Sequence, residues 1–183
     1  MQVRKTKIND LYIIEPKVYN DSRGYFFESF NFNSLNNQGL NFNFIQDNQS
    51  KSQYGVIRGL HFQKDPFSQT KLLRVLEGKI FDVALDMRKS SPDFGKWFGI
   101  ELSNENNKQI LIPKGFAHGF SVLSETAIVM YKCDAYYHPE SESGIKFDDK
   151  NLNIDWKITQ GKEIVSEKDS VLPNFKDSDY YFY

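Results

Sequence analysis

The sequence contains a single cysteine, Cys133, among its 183 residues. One thiol cannot form a disulfide within the chain, which fits a reducing compartment. Positive charge is not in excess, since 23 Lys and Arg are matched by 24 Asp and Glu, so a broad nucleic-acid or acidic-lipid surface is not expected. No apolar run is long enough to span a bilayer, and the start, MQVRKTKIND, lacks the apolar centre of a signal peptide. We therefore expect a cytoplasmic protein that binds neither nucleic acid nor membrane.

Strand patterns dominate the sequence, and helical periodicity is weak. The stretch KLLRVLEGKIFDVALDMR predicts a tight hairpin of two apolar strands around Glu77 and Gly78. Further strands are predicted at residues 11–14, 25–30, 42–46, 56–62, 97–102, 109–112, 116–122 and 126–133. Short helical turns are predicted at residues 31–40, ended by Gly39, and at residues 166–170. Short strands between turn signals are typical of an all-β antiparallel sandwich, barrel or jelly roll.

The chain shows no internal repeat, linker or change of composition that would divide it. We therefore expect one domain that spans residues 1–183. The tail after Pro173 ends in an aromatic segment, DSDYYFY at residues 177–183. This tail is either a docked arm or an interface segment, and the sequence does not decide between them.

Polar residues interrupt three of the apolar strands. In IPKGFAHGFSVL, His118 alternates with apolar residues on one face and therefore points inward. Tyr131 points inward in TAIVMYKCD by the same rule, and GVIRGLHFQ places His61 in a third apolar strand. Each residue alone is read as an ordinary hydrogen-bonded core residue. Together with Lys71 at a strand end, they indicate a ligand site at the mouth of a β-roll.

A metal site is the main alternative for these histidines. Small β-rolls that bind a metal commonly supply a His-x-His pair, a downstream Glu and a third His. Here Phe62 and Gln63 follow His61, and the third histidine, His138, precedes a proline in a predicted loop. Two separated histidines without a closely spaced carboxylate make a poor ligand set, so we expect no metal.

Arg58 and His61 raise a geometric difficulty, because on a regular strand they face opposite sides. Both can reach one pocket only if the strand is irregular. Gly59, between them, is a suitable place for a bulge.

Six blocks of sequence carry a resemblance to a known family. They are DSRGYFFESF, FIQDNQSKSQYGVIRGLHFQ, KLLRVLEGKIFDVALDMRKSSPDFGKW, IPKGFAHGF, YKCDAYYHPESESGI and SEKD, in this order. Together they resemble the dTDP-4-dehydrorhamnose 3,5-epimerase family of nucleotide-sugar enzymes, over residues 11–173. One departure is FDDK at residues 147–150, where the family usually has Trp-Asn-Asp-Pro. We interpret that change as one of loop structure.

The resemblance implies an isomerase with a cupin-like jelly roll, a homodimer that uses no metal and no other cofactor. The implied substrate is a dTDP-linked 4-keto-6-deoxyhexose. In this reading His61 is the base, oriented by Asp169, and Tyr131 is the acid on the opposite face of the sugar. Lys71 stabilises the enolate oxygen, with His118 nearby.

The resemblance also implies a set of nucleotide contacts. Arg23, Arg58 and Lys168 would hold the diphosphate, which suits the planar fork of arginine. Phe26 would stack on the base, and the remaining contacts are Glu28, the segment Gln46–Asp47–Asn48, and Glu142. Arg23 would be donated across the dimer. Without the resemblance, most of these positions would be read as solvated surface residues.

The implied reaction requires three groups. Hydrogens next to a ketone are acidic because the carbanion delocalises onto the ketone oxygen. Epimerisation therefore needs a base on one face, an acid on the other and a positive group at that oxygen. Epimerisation at one carbon, another nucleotide 4-keto sugar, a binding protein without catalysis and a metal-dependent oxygenase remain the alternatives.

Overall fold

Two antiparallel sheets face each other in the computed structural model, which describes residues 1–183. The strands are β1 (Gln2–Lys5), β2 (Tyr12–Glu15), β3 (Tyr19–Asp21), β4 (Gly24–Phe26), β5 (Gln46–Gln53), β6 (Ile57–Gln63), β7 (Lys71–Glu77), β8 (Lys79–Asp86), β9 (Trp97–Ser103), β10 (Gln109–Ile112), β11 (Phe116–Val122), β12 (Thr126–Cys133) and β13 (Glu142–Gly144). Two short helices are α1 (Phe32–Asn36) and α2 (Glu167–Ser170). Neither is long and apolar enough to cross a membrane.

The strand order confirms the predicted antiparallel jelly roll. One sheet has six strands in the order β1-β2-β10-β7-β12-β5, and the other has five in the order β13-β6-β11-β8-β9. Strands β3 and β4 form a separate hairpin. The predicted hairpin of β7 and β8 is wrong, because β7 pairs with β10 and β12 whereas β8 pairs with β11 and β9 of the other sheet. The chain turns from one sheet to the other at Gly78, whose φ of +80° suits glycine.

Some predicted elements differ from the structure. Residues 42–45 form no strand, because Phe42 and Phe44 pack as a loop against an apolar cluster on the outer face of the six-stranded sheet. The strand begins instead at Gln46 and continues through a polar stretch that the sequence did not predict. The predicted strand at residues 25–30 is reduced to β4, and the predicted helix at residues 31–40 to α1.

The core fills the space between the sheets and continues behind one of them. Ile80 and Ala84 of β8 point into the space between the sheets. Phe81, Val83 and Leu85 alternate with them and pack on the other side, under residues 145–158 and 175–182. The five-stranded sheet is therefore buried on both faces, and this explains why its central strands are almost continuously apolar.

Candidate active site

A cleft with a volume of about 580 Å³ opens between the two sheets, where apolar packing gives way to polar side chains. His61 and His118 enter it from β6 and β11 of the five-stranded sheet. Lys71 and Tyr131 enter it from β7 and β12 of the facing sheet. A ligand in the cleft therefore meets His61 on one side and Tyr131 on the other.

A bulge in β6 brings Arg58 and His61 to the same cleft. His61 pairs with His118 and Arg58 pairs with Phe120, so three steps along β6 match two along β11. Gly59 lies inside this irregularity at φ +115°. A Cβ atom at this position would lie 2.6 Å from the carbonyl oxygen of His118, so only glycine fits there. The irregular strand that the sequence predicts is confirmed.

Asp169 holds the imidazole of His61. Its Oδ1 lies 2.8 Å from His61 Nε2, and its Oδ2 accepts the Gly59 N–H at 3.2 Å. Ser166 caps the short helix α2 by accepting the Asp169 N–H at 3.1 Å. Burial acts to raise the pKa of Asp169, but the hydrogen bonds from His61 and Gly59 outweigh it and lower the pKa below the ordinary value. The carboxylate is therefore kept charged beside the imidazole.

A second histidine–carboxylate pair lies deeper in the cleft. His118 Nε2 is 2.8 Å from Asp82 Oδ2, and both residues are buried. The other oxygen, Oδ1, has no hydrogen-bond partner. Asp82 was not among the predicted site residues, although its place between Ile80 and Ala84 on the inner face of β8 was a usable signal.

Lys71 and Tyr131 are polar side chains whose burial is offset by few polar contacts. The Lys71 ammonium makes no hydrogen bond or ion pair and lies 6.0 Å from the centroid of the Tyr131 ring. Burial lowers the pKa of Lys71 and raises the pKa of Tyr131. Lysine therefore loses its proton more easily than usual, while the phenol holds its own more firmly.

Glu142, Lys168 and Tyr137 form a polar bridge at the rim. Glu142 Oε2 accepts hydrogen bonds from Lys168 Nζ and from Tyr137 Oη, each at 2.6 Å. The bond to Glu142 raises the pKa of Lys168. Burial works to raise the pKa of Glu142, but these two bonds dominate and lower it. Tyr137 lines the cleft and was not predicted, because an exposed tyrosine in a loop carries no signal in one sequence.

A second cavity, of about 370 Å³, continues the cleft past His61 and Lys71. Gln46 and Asn48 line it from alternate positions of β5. Asn48 also donates to the Sγ of buried Cys133 at 3.7 Å. Asp47 faces the other side of the sheet, where it forms an ion pair with Lys132 at 2.9 Å, so it does not reach this cavity.

The three predicted site residues nearest the start of the chain lie outside both cavities. Arg23 is on the β3–β4 hairpin, where its Nη2 contacts Asp21 Oδ2 at 2.6 Å. Phe26 is 67% exposed, and Glu28 accepts a hydrogen bond from Asn31. Within one chain, these residues do not join the cleft.

The remaining histidine, His138, stacks on Phe67 with their ring centroids 3.7 Å apart. Nowhere in the chain do three or more His, Cys, Asp or Glu side chains form a group that could hold a metal ion.

Comparison with known proteins identifies the family. The model of the dTDP-4-dehydrorhamnose 3,5-epimerase family matches residues 5–177. A protein of that name from Shigella flexneri is 50% identical over 182 residues, which cover 99% of each chain. The crystal structure of the epimerase from Elizabethkingia anophelis NUHP1 is 54% identical, with a TM-score of 0.94 over 98% of this chain and 99% of that one. The structure of dTDP-6-deoxy-D-glucose-3,5-epimerase from Legionella pneumophila, in complex with dTDP-4-keto-L-rhamnose, is 47% identical, with a TM-score of 0.95 over 100% and 98% of the two chains. The chain belongs to the dTDP-4-dehydrorhamnose 3,5-epimerase family.

Proposed function

We propose that the protein converts dTDP-4-dehydro-6-deoxy-D-glucose to dTDP-4-dehydro-L-rhamnose by inverting C3 and C5. The observation that carries this proposal is the cleft of an epimerase-family chain in which His61 and Tyr131 enter from opposite sheets, with Lys71 beside Tyr131. A base, an acid and a cation around one cavity are what this inversion requires.

His61 acts as the base. Because Asp169 occupies Nε2, the free nitrogen Nδ1 takes the proton from C5 or C3 of the sugar. The C–H electron pair moves onto the C4 oxygen and gives an enolate. Tyr131 then donates its phenolic proton to the opposite face of the same carbon, which inverts it. Exchange of protons with water returns both side chains to their starting states.

Lys71 stabilises the enolate oxygen. Its ammonium has no partner in the protein, so the developing negative charge on the substrate meets a cation that is not already neutralised. His118, held by Asp82, supplies a second polar group on the floor of the cleft. Such groups act most strongly where water is excluded and where the charge develops.

Arg58 and Lys168 hold the diphosphate in this proposal. Both line the cleft, Arg58 through the bulge and Lys168 from helix α2 next to Asp169. Gln46 and Asn48 lie where the second cavity can take the nucleotide. Glu142 contacts the bound ligand at the rim. The Legionella relative, solved with dTDP-4-keto-L-rhamnose, supports a ligand of this class.

A homodimer completes the nucleotide site. Arg23, Phe26 and Glu28 lie outside their own cleft, on and just after an exposed hairpin that could reach a neighbouring copy. Mixing Arg23→Ala with His61→Ala protein tests this. If hairpins are exchanged, the mixed dimer contains one intact site and recovers activity that neither parent has. Mixtures that stay as inactive as the parents, in protein shown by light scattering to be dimeric, would contradict the exchange.

The experiment that tests the proposed function is incubation with dTDP-4-keto-6-deoxy-D-glucose in D2O, followed by NMR. Deuterium at both C3 and C5 is expected, because each inversion passes through an enolate that is reprotonated from solvent. Label at one carbon would support a single-site epimerase instead. No label, with dTDP still bound, would support a binding protein. His61→Ala is expected to lose turnover and keep dTDP binding. The cytoplasmic location and the single domain stay predictions.

A further inference from the structure

The aromatic segment packs behind the cleft, and the proposed chemistry leaves it without a role. Phe182, near its end, is buried. Its N–H donates to the carbonyl of Met87 at 3.1 Å, and its carbonyl accepts from the Lys89 N–H at 2.8 Å. Its ring packs edge-on against Phe62, with the centroids 5.6 Å apart. The segment is thereby fixed against β6 immediately after His61.

A small void lies between this segment and the cleft. Its volume is about 10 Å³, which is the room that about one water needs. Phe182 lines the void from behind. Lys71 and His118 line it from the front, and they are the two residues that line both the void and the cleft. The ring of Phe182 therefore forms a back wall for the space behind Lys71.

We propose that Phe182 is a positioning residue that keeps bulk water out of the space behind Lys71, where no more than about one water fits, and so directs the ammonium to the enolate oxygen. This inference rests on the proposed function. The Lys71 ammonium has no hydrogen-bond partner in the protein, so it would turn toward bulk water admitted from behind. Such water would solvate the charge and compete with the substrate oxygen. Removing the ring opens that route, whereas an aliphatic side chain of similar size keeps it closed.

The test compares kcat and KM of Phe182→Ala, Phe182→Leu and the matched control Tyr183→Ala. Tyr183 is 91% exposed and does not line the void. Loss of a whole oxyanion donor lowers kcat about 10²–10³-fold, so weakening one is expected to cost about tenfold. We expect this fall in kcat for Phe182→Ala, a KM close to that of the wild type, and recovery in Phe182→Leu. Tyr183→Ala is expected to match the wild type.

A double-mutant cycle separates this role from loss of fold. Folded sites are counted by titration with dTDP, and kcat is expressed per site. In a Lys71→Met background the effect of Phe182→Ala on the residual rate of deuterium exchange is expected to vanish. If Phe182→Ala does not fold, Phe182→Val replaces it in the cycle. An unchanged kcat per site, or a full additional loss in the Lys71→Met background, would overturn the inference. A wild-type protein without turnover would overturn the proposed function and this inference with it.

Discussion

Replacing Asp169 by asparagine removes one charge from the cleft and almost no volume. A hydrogen bond to a charged group contributes about 1.5–3 kcal/mol, against about 0.5–1.5 for a neutral one. The loss of about 1–1.5 kcal/mol of support for the imidazolium corresponds to about a five- to tenfold fall in kcat. This is the smallest effect that we expect.

The two bonds of Asp169 make the expected loss larger. The side chain of the Asp169→Asn variant would have one amide oxygen, whereas Asp169 accepts from Gly59 N–H and also contacts His61 Nε2. Leaving the buried Gly59 N–H unpaired costs about 1–3 kcal/mol, so the oxygen should stay there and the NH2 should face His61. Nε2 must then accept, which places the imidazole proton on Nδ1, the nitrogen that acts as base. In the serine-protease triad the equivalent change lowers kcat about 10⁴-fold.

The assay is the rate of deuterium incorporation at C5 and C3 in D2O, with Tm measured in parallel. Asp169→Asn is expected to lose between about fivefold and about 10⁴-fold in kcat with little change in Tm. Asp148→Asn, which removes the same charge at a carboxylate 53% exposed and outside the cleft, is the control. A kcat for Asp169→Asn within about threefold of the wild type would refute the assignment of His61 and Asp169 as a catalytic pair.

Three further outcomes are expected. Tyr131→Phe should slow complete inversion more than proton exchange at C5 and C3, and equal losses in NMR would contradict its role as acid. Burial lowers the pKa of Lys71 and raises that of Tyr131, so lysine loses its proton first as the pH rises. We therefore expect kcat/KM to fall with rising pH, with a midpoint below the ordinary lysine pKa of 10.5. In Lys71→Arg that alkaline decline should move to higher pH, and an unmoved profile would assign it to another group. Gly59→Ala, whose Cβ would meet β11, should lower stability by about 1–3 kcal/mol and Tm by several degrees, and an unchanged Tm would mean that the bulge relaxes freely.

Side-chain alternation carried much of the site prediction. His118 and Tyr131 occupy inward positions in long apolar strands, and a period of two fixes the direction of each. The bulge at Gly59 was also predictable, because only an irregular strand brings Arg58 and His61 together.

Other features could not be predicted from one chain. His61 and Asp169 are 108 residues apart, so only the resemblance suggested their pairing. Strand β5, QDNQSKSQ, has no apolar alternation, because its inner residues line a polar cavity instead of the core. The position of the aromatic segment depends on apolar surface behind β6 that the pattern of that strand alone does not reveal.

The protected thiol of Cys133 makes the protein a convenient host for spectroscopic probes. Its side chain is fully buried, and burial raises its pKa to about 11. At neutral pH only about one molecule in 10⁴ carries the thiolate that alkylating reagents attack. A single new cysteine on the exposed hairpin, such as Tyr19→Cys, would therefore take a fluorophore or spin label alone, without removal of the native thiol. The separation of two such labels would report how closely the hairpins of two copies approach in solution.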